Sequence, residues 1–305
     1  MSKTALILVL LAAAAAAAVL VGPAPLTGAI LQIRLTRVVL GIFCGGILGF
    51  CGAVLQGLFN NPLVEPYTLG SASGAALGAC LGIVTVGFLN PLFAFAGSLA
   101  AGFLVFVIAR SRQGALRDRL ILAGVILSFL CSSLVMIIMI MSGKELYEVL
   151  YLLMGYLGVV FDPGQRIAAI AVLAVSLVIV FYLYRHHREL DIISQGSEAA
   201  TGLGIDIQTV SRNLFLGTAL LTGFVVSLVG AIGFVGLIIP HIAKLMFGPR
   251  HLRNLPASFG LGAAFLLIAD TLSRTLTVYE LPVGVVTSLI GVPFFIYLYA
   301  RAPAK

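Results

Sequence analysis

Long apolar stretches separated by short polar loops recur along almost the whole chain. An α-helix needs about 20 predominantly apolar residues to cross a bilayer, and most of these stretches have about that length. The pattern therefore predicts an all-α polytopic membrane protein, with ten transmembrane helices in a single domain over residues 1–305. The predicted spans are Ala5–Val21, Val38–Phe59, Tyr67–Phe88, Leu92–Ala109, Leu120–Met141, Ile167–Tyr184, Leu214–Val229, a segment that carries Pro240 and His241 and ends at Lys244–Phe247, Pro256–Leu272, and a last span that follows Pro282 and ends at Tyr299.

Two apolar segments fit this pattern less simply. The first, Ala5–Val21, follows Lys3 and has the features of a signal peptide, but its apolar run is long for one, which favours a retained span. The other, Leu150–Val160, is too short to cross a bilayer. It predicts a short interfacial or re-entrant helix.

The longest polar interruption runs from Tyr184 to Asn213. Within it, Ser197 followed by Glu198 and two alanines predicts the start of a helix, and the nearby Gly202 and Gly204 predict its end. A short helix, a glycine break and a second short turn would give residues 186–212 the shape of a handle for a soluble partner. A plain connecting loop is the alternative that this pattern leaves open.

Composition supports a membrane protein and excludes other classes. Charged residues make up 10% of the chain, whereas soluble domains contain about 25%. The net charge of +7 does not indicate nucleic-acid binding, because the basic residues are spread over short loops. All four cysteines lie in apolar segments without metal-ligand spacing, so neither a metal site nor a disulfide framework is expected.

The charges also predict the orientation. If the chain starts inside and ten spans alternate, most Lys and Arg residues fall on the inner side, as does the loop 186–212, so both termini are expected in the cytoplasm. Three of the exceptions, Arg34, Arg37 and Arg274, lie at the outer ends of spans. They predict either side chains that snorkel to lipid headgroups or a basic outer rim that docks an acidic soluble partner.

Motifs for catalysis are absent from the sequence. Gly143-Lys144-Glu145 lacks the rest of a phosphate-binding loop, and neither a zinc-protease nor a serine-hydrolase motif occurs. Ionisable residues within the spans are nearly absent, and Asp270, the clearest acid, lies near an outer end. These features disfavour a membrane enzyme and an ion-coupled secondary transporter, and they indicate that any driving force is applied elsewhere.

Several long passages, in the same order, resemble the FecCD-type permeases. These are the membrane subunits of type II ABC importers for iron–siderophores, haem and cobalamin. One departure is Tyr151, which stands before Met154-Gly155 where members often carry a Trp. The matching passages are Arg34–Ala79 (RLTRVVLGIFCGGILGFCGAVLQGLFNNPLVEPYTLGSASGAALGA), Gly196–Ile205 (GSEAATGLGI), Gly230–His251 (GAIGFVGLIIPHIAKLMFGPRH), Leu255–Ser258 (LPAS) and Leu267–Tyr299 (LIADTLSRTLTVYELPVGVVTSLIGVPFFIYLY).

The resemblance implies a type II ABC importer permease fold with ten spans, and a homodimer with one pathway on its two-fold axis. It implies two cytoplasmic ATPase subunits that bind ATP-Mg, a soluble or lipid-anchored substrate-binding protein outside, and a bacterial or archaeal cytoplasmic membrane. No cofactor is expected on this chain itself. The residues implied to seat in the ATPase are Ser197, Glu198, Ala199, Ala200, Gly202, Leu203 and Gly204, and those implied to pair with the binding protein are Arg34, Arg37 and Arg274.

Such an importer needs a pathway wall without strong binding groups, so that a large chelate can leave. The polar candidates near the axis are Gln56, Asn60, Asn61, Ser71 and Ser73. The sequence leaves the cargo open among siderophores, haem, cobalamin and oxyanions. A secondary transporter that works without an ATPase, and a non-transporting scaffold or receptor, remain the alternatives at this stage.

Overall fold

A computed structural model describes residues 2–86, 91–110, 116–142 and 153–301. This described part contains twelve α-helices, one 3₁₀ helix (Pro66–Leu69) and no strand. The α-helices are α1 (Lys3–Leu20), α2 (Gly28–Phe59), α3 (Ser71–Val86), α4 (Pro91–Arg110), α5 (Leu116–Ser142), α6 (Pro163–Tyr184), α7 (His187–Ile193), α8 (Ser197–Gly202), α9 (Ile207–Val229), α10 (Val235–Phe247), α11 (His251–Ser273) and α12 (Val283–Arg301).

Seven of these helices are long and apolar enough to cross a membrane, namely α1, α2, α4, α5, α6, α9 and α11. Three more, α3, α10 and α12, are apolar but shorter. The chain is therefore an all-helical multi-pass membrane protein, as the hydropathy pattern predicted. The seven long and three short helices correspond one to one with the predicted spans, although the exact number of crossings stays a prediction.

Helix α2 lies at the centre of the bundle. In the most apolar 18-residue stretch of α2, 78% of the residues are buried, whereas the same share for α1 is 17%. It packs against α9, α10 and, most extensively, α11. A second group, formed by α3, α4 and α5, joins the first where α4 meets α9, and α1 packs on α11 from outside.

The contact between α2 and α11 depends on glycine. A Cβ atom on Gly45 would overlap the carbonyl oxygen of Gly262 and lie 2.7 Å from Cβ of Leu266. A Cβ atom on Gly262 would in turn overlap the carbonyl oxygen of Gly45. Small residues allow helices to approach this closely in lipid, so these glycines have a packing role here.

The start of α2 corrects the sequence prediction. The helix begins at Gly28 rather than Val38, and its 32 residues span about 48 Å. The side chain of Thr27 caps it by accepting a hydrogen bond from the backbone N–H of Ile30. Hydropathy placed Arg34 and Arg37 before the span, but the helix includes both residues. Their side chains are buried in the protein, where they donate hydrogen bonds to internal acceptors.

The loop 186–212 also differs from the prediction. Helix α8 forms where Ser197 predicted a helix, with Gly196 as its N-cap. The preceding helix α7 was not predicted, and the expected second turn is the beginning of α9. There Asp206 caps the helix by accepting the backbone N–H of Thr209 at 3.1 Å, and the hydrogen bonds from Thr209 lower the pKa of Asp206.

The predicted re-entrant helix Leu150–Val160 lies partly outside the described residues. Within the described part, residues 155–160 form no helix, and Gly155 has a left-handed backbone with φ of +73°. The backbone N–H of Tyr156 donates to the carbonyl of Val229, the last residue of α9, at 2.7 Å. This hydrogen bond fastens the segment to the end of α9.

A second irregular segment separates α9 from α10. Gly230 and Phe234 both have positive φ, which frees backbone groups that a continuous helix would satisfy. Glu65 accepts the N–H of Phe234 and the Tyr67 hydroxyl accepts the N–H of Ile232, each at 3.0 Å. Burial raises the pKa of Glu65, and the hydrogen bond from Phe234 opposes this rise. Side chains from the loop after α2 thus stabilise this break.

We predict that Gly45→Ala lowers the free energy of unfolding by about 1–3 kcal/mol, because its methyl group cannot fit against Gly262. The measurement is denaturation of the purified protein in mixed micelles. Gly28→Ala is the matched control in the same helix, since a Cβ atom there meets nothing within 4 Å. Equal stability of the two variants would contradict the close α2–α11 contact.

Candidate functional site

A cleft of about 520 Å³ lies where α2 ends, and we call it the α2 cleft. Its walls are the last turns of α2 with the following loop, the second half of α10 and the first turn of α11. Three of the five predicted pathway residues line it, namely Gln56, Asn60 and Asn61. The other polar lining residues are Ser194, His241, Lys244, His251 and Asn254.

Gln56 occupies a position created by a proline. Pro240 has no N–H, so the carbonyl of Gly236 lacks its usual partner within α10. The Gln56 amide donates to the carbonyls of Gly236 and Leu237, at 3.2 Å each. Gln56 therefore joins α2 to α10 as well as lining the cleft.

The two asparagines hold the turn that ends α2. Asn60 has a left-handed backbone, with φ of +45°, a conformation that asparagine tolerates better than most residues. The side-chain oxygen of Asn61 accepts the backbone N–H of Leu63 at 2.9 Å. Their positions at the rim of the cleft thus follow from local turn chemistry.

The other two pathway candidates do not line the α2 cleft. The Ser71 hydroxyl is buried and donates to the carbonyl of Pro66 at 2.9 Å. The Ser73 hydroxyl donates to the carbonyl of Gly70 and lies 3.2 Å from the Ser128 hydroxyl. These bonds fasten the start of α3 to its neighbours, and a place on the pathway stays a prediction for both serines.

A link between Asp191 and His251 connects the loop 186–212 to the cleft. One carboxylate oxygen of Asp191, on α7, accepts the backbone N–H of His251 at 2.8 Å and lies 2.6 Å from its ring Nδ1. His251 is the first residue of α11, and its ring packs where a Cβ atom on Gly57 would otherwise lie. Sequence reasoning missed this pair, because the two residues are 60 positions apart and no local motif joins them.

Helix α8 presents an apolar surface beside α7. Ala200 is buried, whereas Leu203 is 68% exposed and Ala199, Gly202 and Gly204 are exposed. Gly204 has φ of +75° and donates its N–H to the carbonyl of Thr201, which ends the helix as predicted. The backbone of Ser197 and Glu198 forms the first turn, and their side chains lie outside what the structure describes.

The opposite ends of α2 and α11 hold a buried ion cluster. Asp270 has no solvent exposure and lies 3.1 Å from a guanidinium nitrogen of Arg37 and 3.3 Å from Nε of Arg274. Arg37 also donates to Glu280 at 2.7 Å and stacks over the ring of Tyr156. The Tyr156 hydroxyl donates to the same Glu280 carboxylate at 2.7 Å.

Arg274, from this cluster, and the nearby Arg34 both bind the end of α1. Arg34 donates to the carbonyls of Val19 and Ala24, at 2.8 and 2.7 Å. Arg274 donates to the carbonyls of Ala18 and Val21, at 2.6 and 2.8 Å. Cations at the C-terminus of a helix satisfy its last carbonyls and oppose its negative dipole end.

These contacts differ from the exposed basic rim that the sequence predicted. Arg34, Arg37 and Arg274 are only 4–5% exposed, because α1, Asp270 and Glu280 supply internal acceptors. Burial raises the pKa of Glu280, but hydrogen bonds from Tyr156 and Arg37 and the nearby positive charges outweigh it, so that the pKa lies below its ordinary value. Docking of a partner by the three arginines stays a prediction.

Comparison with known proteins places this architecture in one family. The model of the FecCD transport family matches residues 5–301. The chain is 42% identical over 271 residues to the cobalamin import system permease protein BtuC of Halobacterium salinarum, covering 87% of this chain and 72% of that protein. It is 37% identical over 283 residues to the hemin transport system permease protein HmuU of Yersinia pestis, covering 89% and 83%.

Two solved structures are also similar to this chain. A metal-chelate type ABC transporter in an inward-facing conformation is 30% identical with a TM-score of 0.83, covering 97% of each chain. PsaBC from Streptococcus pneumoniae, at 20% identity, has a TM-score of 0.62 and covers 89% of this chain and 92% of its own, which shows a shared fold.

We predict that Asp270→Asn lowers the free energy of unfolding by about 3–5 kcal/mol, because it removes the buried counter-ion of Arg274 and leaves Arg37 paired with the partly exposed Glu280 alone. Glu280→Gln is the matched isosteric control. It should cost less than about 1 kcal/mol, since the Glu280 side chain is 35% exposed. Denaturation in mixed micelles measures both, and a larger loss for Glu280→Gln would contradict the central place of Asp270.

We also predict that Asp191→Ala frees the first turn of α11, since the N–H of His251 loses its acceptor. A lost helix cap costs about 1–2 kcal/mol, which should accelerate amide hydrogen exchange at residues 251–254 roughly 5- to 30-fold. Asp206→Ala removes an equivalent cap from α9 and should accelerate exchange only there. Unchanged exchange at residues 251–254 in Asp191→Ala would show that the link does not hold α11.

Proposed function

This chain belongs to the FecCD transport family and is the membrane-spanning permease component of an ABC importer, and we propose that it carries a metal chelate as a homodimer driven by two cytoplasmic ATPase subunits. The chain is a transporter component rather than a catalytic enzyme. Its sequence contains no phosphate-binding loop, so ATP-Mg binds in the partner subunits. A substrate-binding protein outside delivers the cargo.

The observation that carries the coupling proposal is the link between Asp191 and His251. Helix α8 offers the exposed Leu203 to a soluble partner, while Ala200 anchors the helix to the bundle. Helix α7 packs against α8, α2 and α11. A displacement of α8 by an ATPase subunit would therefore reach His251, and with it the wall of the α2 cleft, through a short and rigid connection.

The cargo proposal rests on the relatives and on the chemistry of the α2 cleft. Relatives named for cobalamin and hemin import indicate a large metal chelate. The described lining of the cleft contains one permanent charge, Lys244, and several amide side chains. Amide groups form weak, exchangeable hydrogen bonds with a polar cargo, so that a chelate passes without being held.

The charge distribution supports an orientation in the membrane. We propose a cytoplasmic membrane of a bacterium or archaeon, with both termini and the α7–α8 segment in the cytoplasm. In this orientation the ion cluster around Asp270 lies at the outer end of the bundle, and the α2 cleft lies at the inner end. The two sites are then placed for cargo entry and cargo release.

Docking of the binding protein is proposed at the outer loop that follows α11. Its side chains Leu276, Val278 and Tyr279 are 59, 98 and 83% exposed, which is unusual for large apolar groups. Glu280, beside them, covers Arg37. A carboxylate on the partner would reach Arg37 by displacing Glu280, so that Arg37, of the three predicted docking arginines, would act through this exchange.

We predict that Leu203→Glu prevents stable assembly with the candidate ATPase subunit, because it places a charge in an apolar contact. Val278→Glu is the matched control at the opposite end of the bundle. It should keep the ATPase and lose stimulation of hydrolysis by the candidate binding protein. The measurement is co-purification followed by ATPase activity in lipid discs.

Two outcomes would contradict the proposal. If no ATPase subunit co-purifies with the wild type, the chain does not work as an ABC permease and a secondary carrier takes its place. If Leu203→Glu assembles and hydrolyses like the wild type, α8 is not the contact. Charge reversal at Arg37 is a poorer test, because Arg37→Glu would place a second buried carboxylate against Asp270.

A further inference from the structure

A groove of about 740 Å³ runs along the side of the bundle between α1 and α11. The first turns of both helices form it, so that residues 3–11 of α1 run beside residues 252–260 of α11. At Gly260 the helices approach closely, since a Cβ atom there would lie 2.7 Å from a methyl carbon of Ile7. The apolar side chains along the groove are Ile7, Leu8, Leu11, Phe247, Leu252 and Phe259.

One end of this groove is basic. Lys3 and Arg253 line it, both are exposed, and neither forms an ion pair with a residue that the structure describes. The Lys3 amine donates a hydrogen bond to the carbonyl of Met246, which holds it at the mouth of the groove. No acidic residue is among the described residues of the lining.

The helix termini add to this positive end. Helix α1 begins at Lys3 and α11 begins at His251, so the positive ends of both helix dipoles lie at the same end of the groove. The other end is apolar and open, with Leu8 exposed by 62%. A charged mouth that continues into an apolar channel matches a molecule with an anionic head and an apolar chain.

We propose that this groove binds an anionic phospholipid, with the phosphate between Lys3 and Arg253 and an acyl chain along Leu8, Leu11 and Phe259. Basic pockets between transmembrane helices on the cytoplasmic side bind anionic headgroups. A zwitterionic lipid offers no net charge to two cations, and a free phosphate would leave the apolar part of the groove unused. The site itself does not depend on the proposed function, and only its placement in the inner leaflet rests on the proposed orientation.

A bound lipid would also fasten α1 to the rest of the protein. Within the described residues α1 packs mainly on α11, and most of its surface faces outward. The lipid would bridge the starts of both helices close to His251, which lines the α2 cleft. Anionic lipid is therefore expected to stabilise the inner end of the bundle.

The test is native mass spectrometry of the purified full chain, titrated with dioleoylphosphatidylglycerol or dioleoylphosphatidylcholine. We expect the wild type to retain phosphatidylglycerol in preference to phosphatidylcholine. Each cation near a membrane surface contributes roughly a 5-fold gain in affinity, so Lys3→Gln/Arg253→Gln should weaken phosphatidylglycerol binding about 25-fold. The charge-retaining variant Lys3→Arg/Arg253→Lys should bind like the wild type and serves as the folding control.

The matched charge control is Arg185→Gln/Arg188→Gln, which removes two exposed cations at the same end of the bundle. It should leave the affinity for phosphatidylglycerol unchanged. Equal losses in the two double variants would reduce the effect to general surface charge and overturn the site. Equal binding of glycerol 3-phosphate and phosphatidylglycerol would overturn the amphiphile assignment, since the apolar groove would then contribute nothing.

Discussion

Along its length α2 packs against α11, and three contacts hold the pair together. At one end Arg37 pairs with the buried Asp270, in the middle Gly45 meets Gly262, and at the other end the ring of His251 fills the space beside Gly57. The glycine contact sets the distance between the helices, and the ion pair at one end and the packed His251 ring at the other set their register. The ion cluster around Asp270 and the α2 cleft are consequently parts of one closely packed helix pair.

The bilayer explains where the polar side chains lie. Lipid offers no hydrogen bonds, so every break in a helix must be satisfied from within the protein. Gln56 donates to the carbonyl of Gly236, which Pro240 leaves without its usual partner, and Glu65 and Tyr67 accept the N–H groups between α9 and α10. Polar residues that the sequence suggests are functional therefore also stabilise the fold, even where they line the α2 cleft.

The way the polar groups are satisfied also matters for the proposed transport. The ion cluster around Asp270 is buried, and the described lining of the α2 cleft contains amide side chains and a single permanent charge, Lys244, so it offers few groups that would hold a cargo strongly. The proposed function has the movement imposed by ATPase subunits, and it assigns the contact with them to the segment made of α7 and α8. In the proposed function, its link through Asp191 to the start of α11 would transmit a displacement of α8 to the wall of the cleft.

The sequence by itself determined the class of protein, the approximate number of spans and the short helix at Ser197. These follow from local properties, namely the length of apolar runs and the capping preferences of single residues. The family was also within reach, since Arg34–Ala79 and Leu267–Tyr299 carry long characteristic passages. The tertiary structure alone decided that Arg34, Arg37 and Arg274 are buried, that Asp191 reaches His251, and that Ser71 and Ser73 lie away from the α2 cleft. The physical reason is that a charge or hydroxyl looks the same in a sequence whether its partner is water or a residue far along the chain, and only packing supplies that partner.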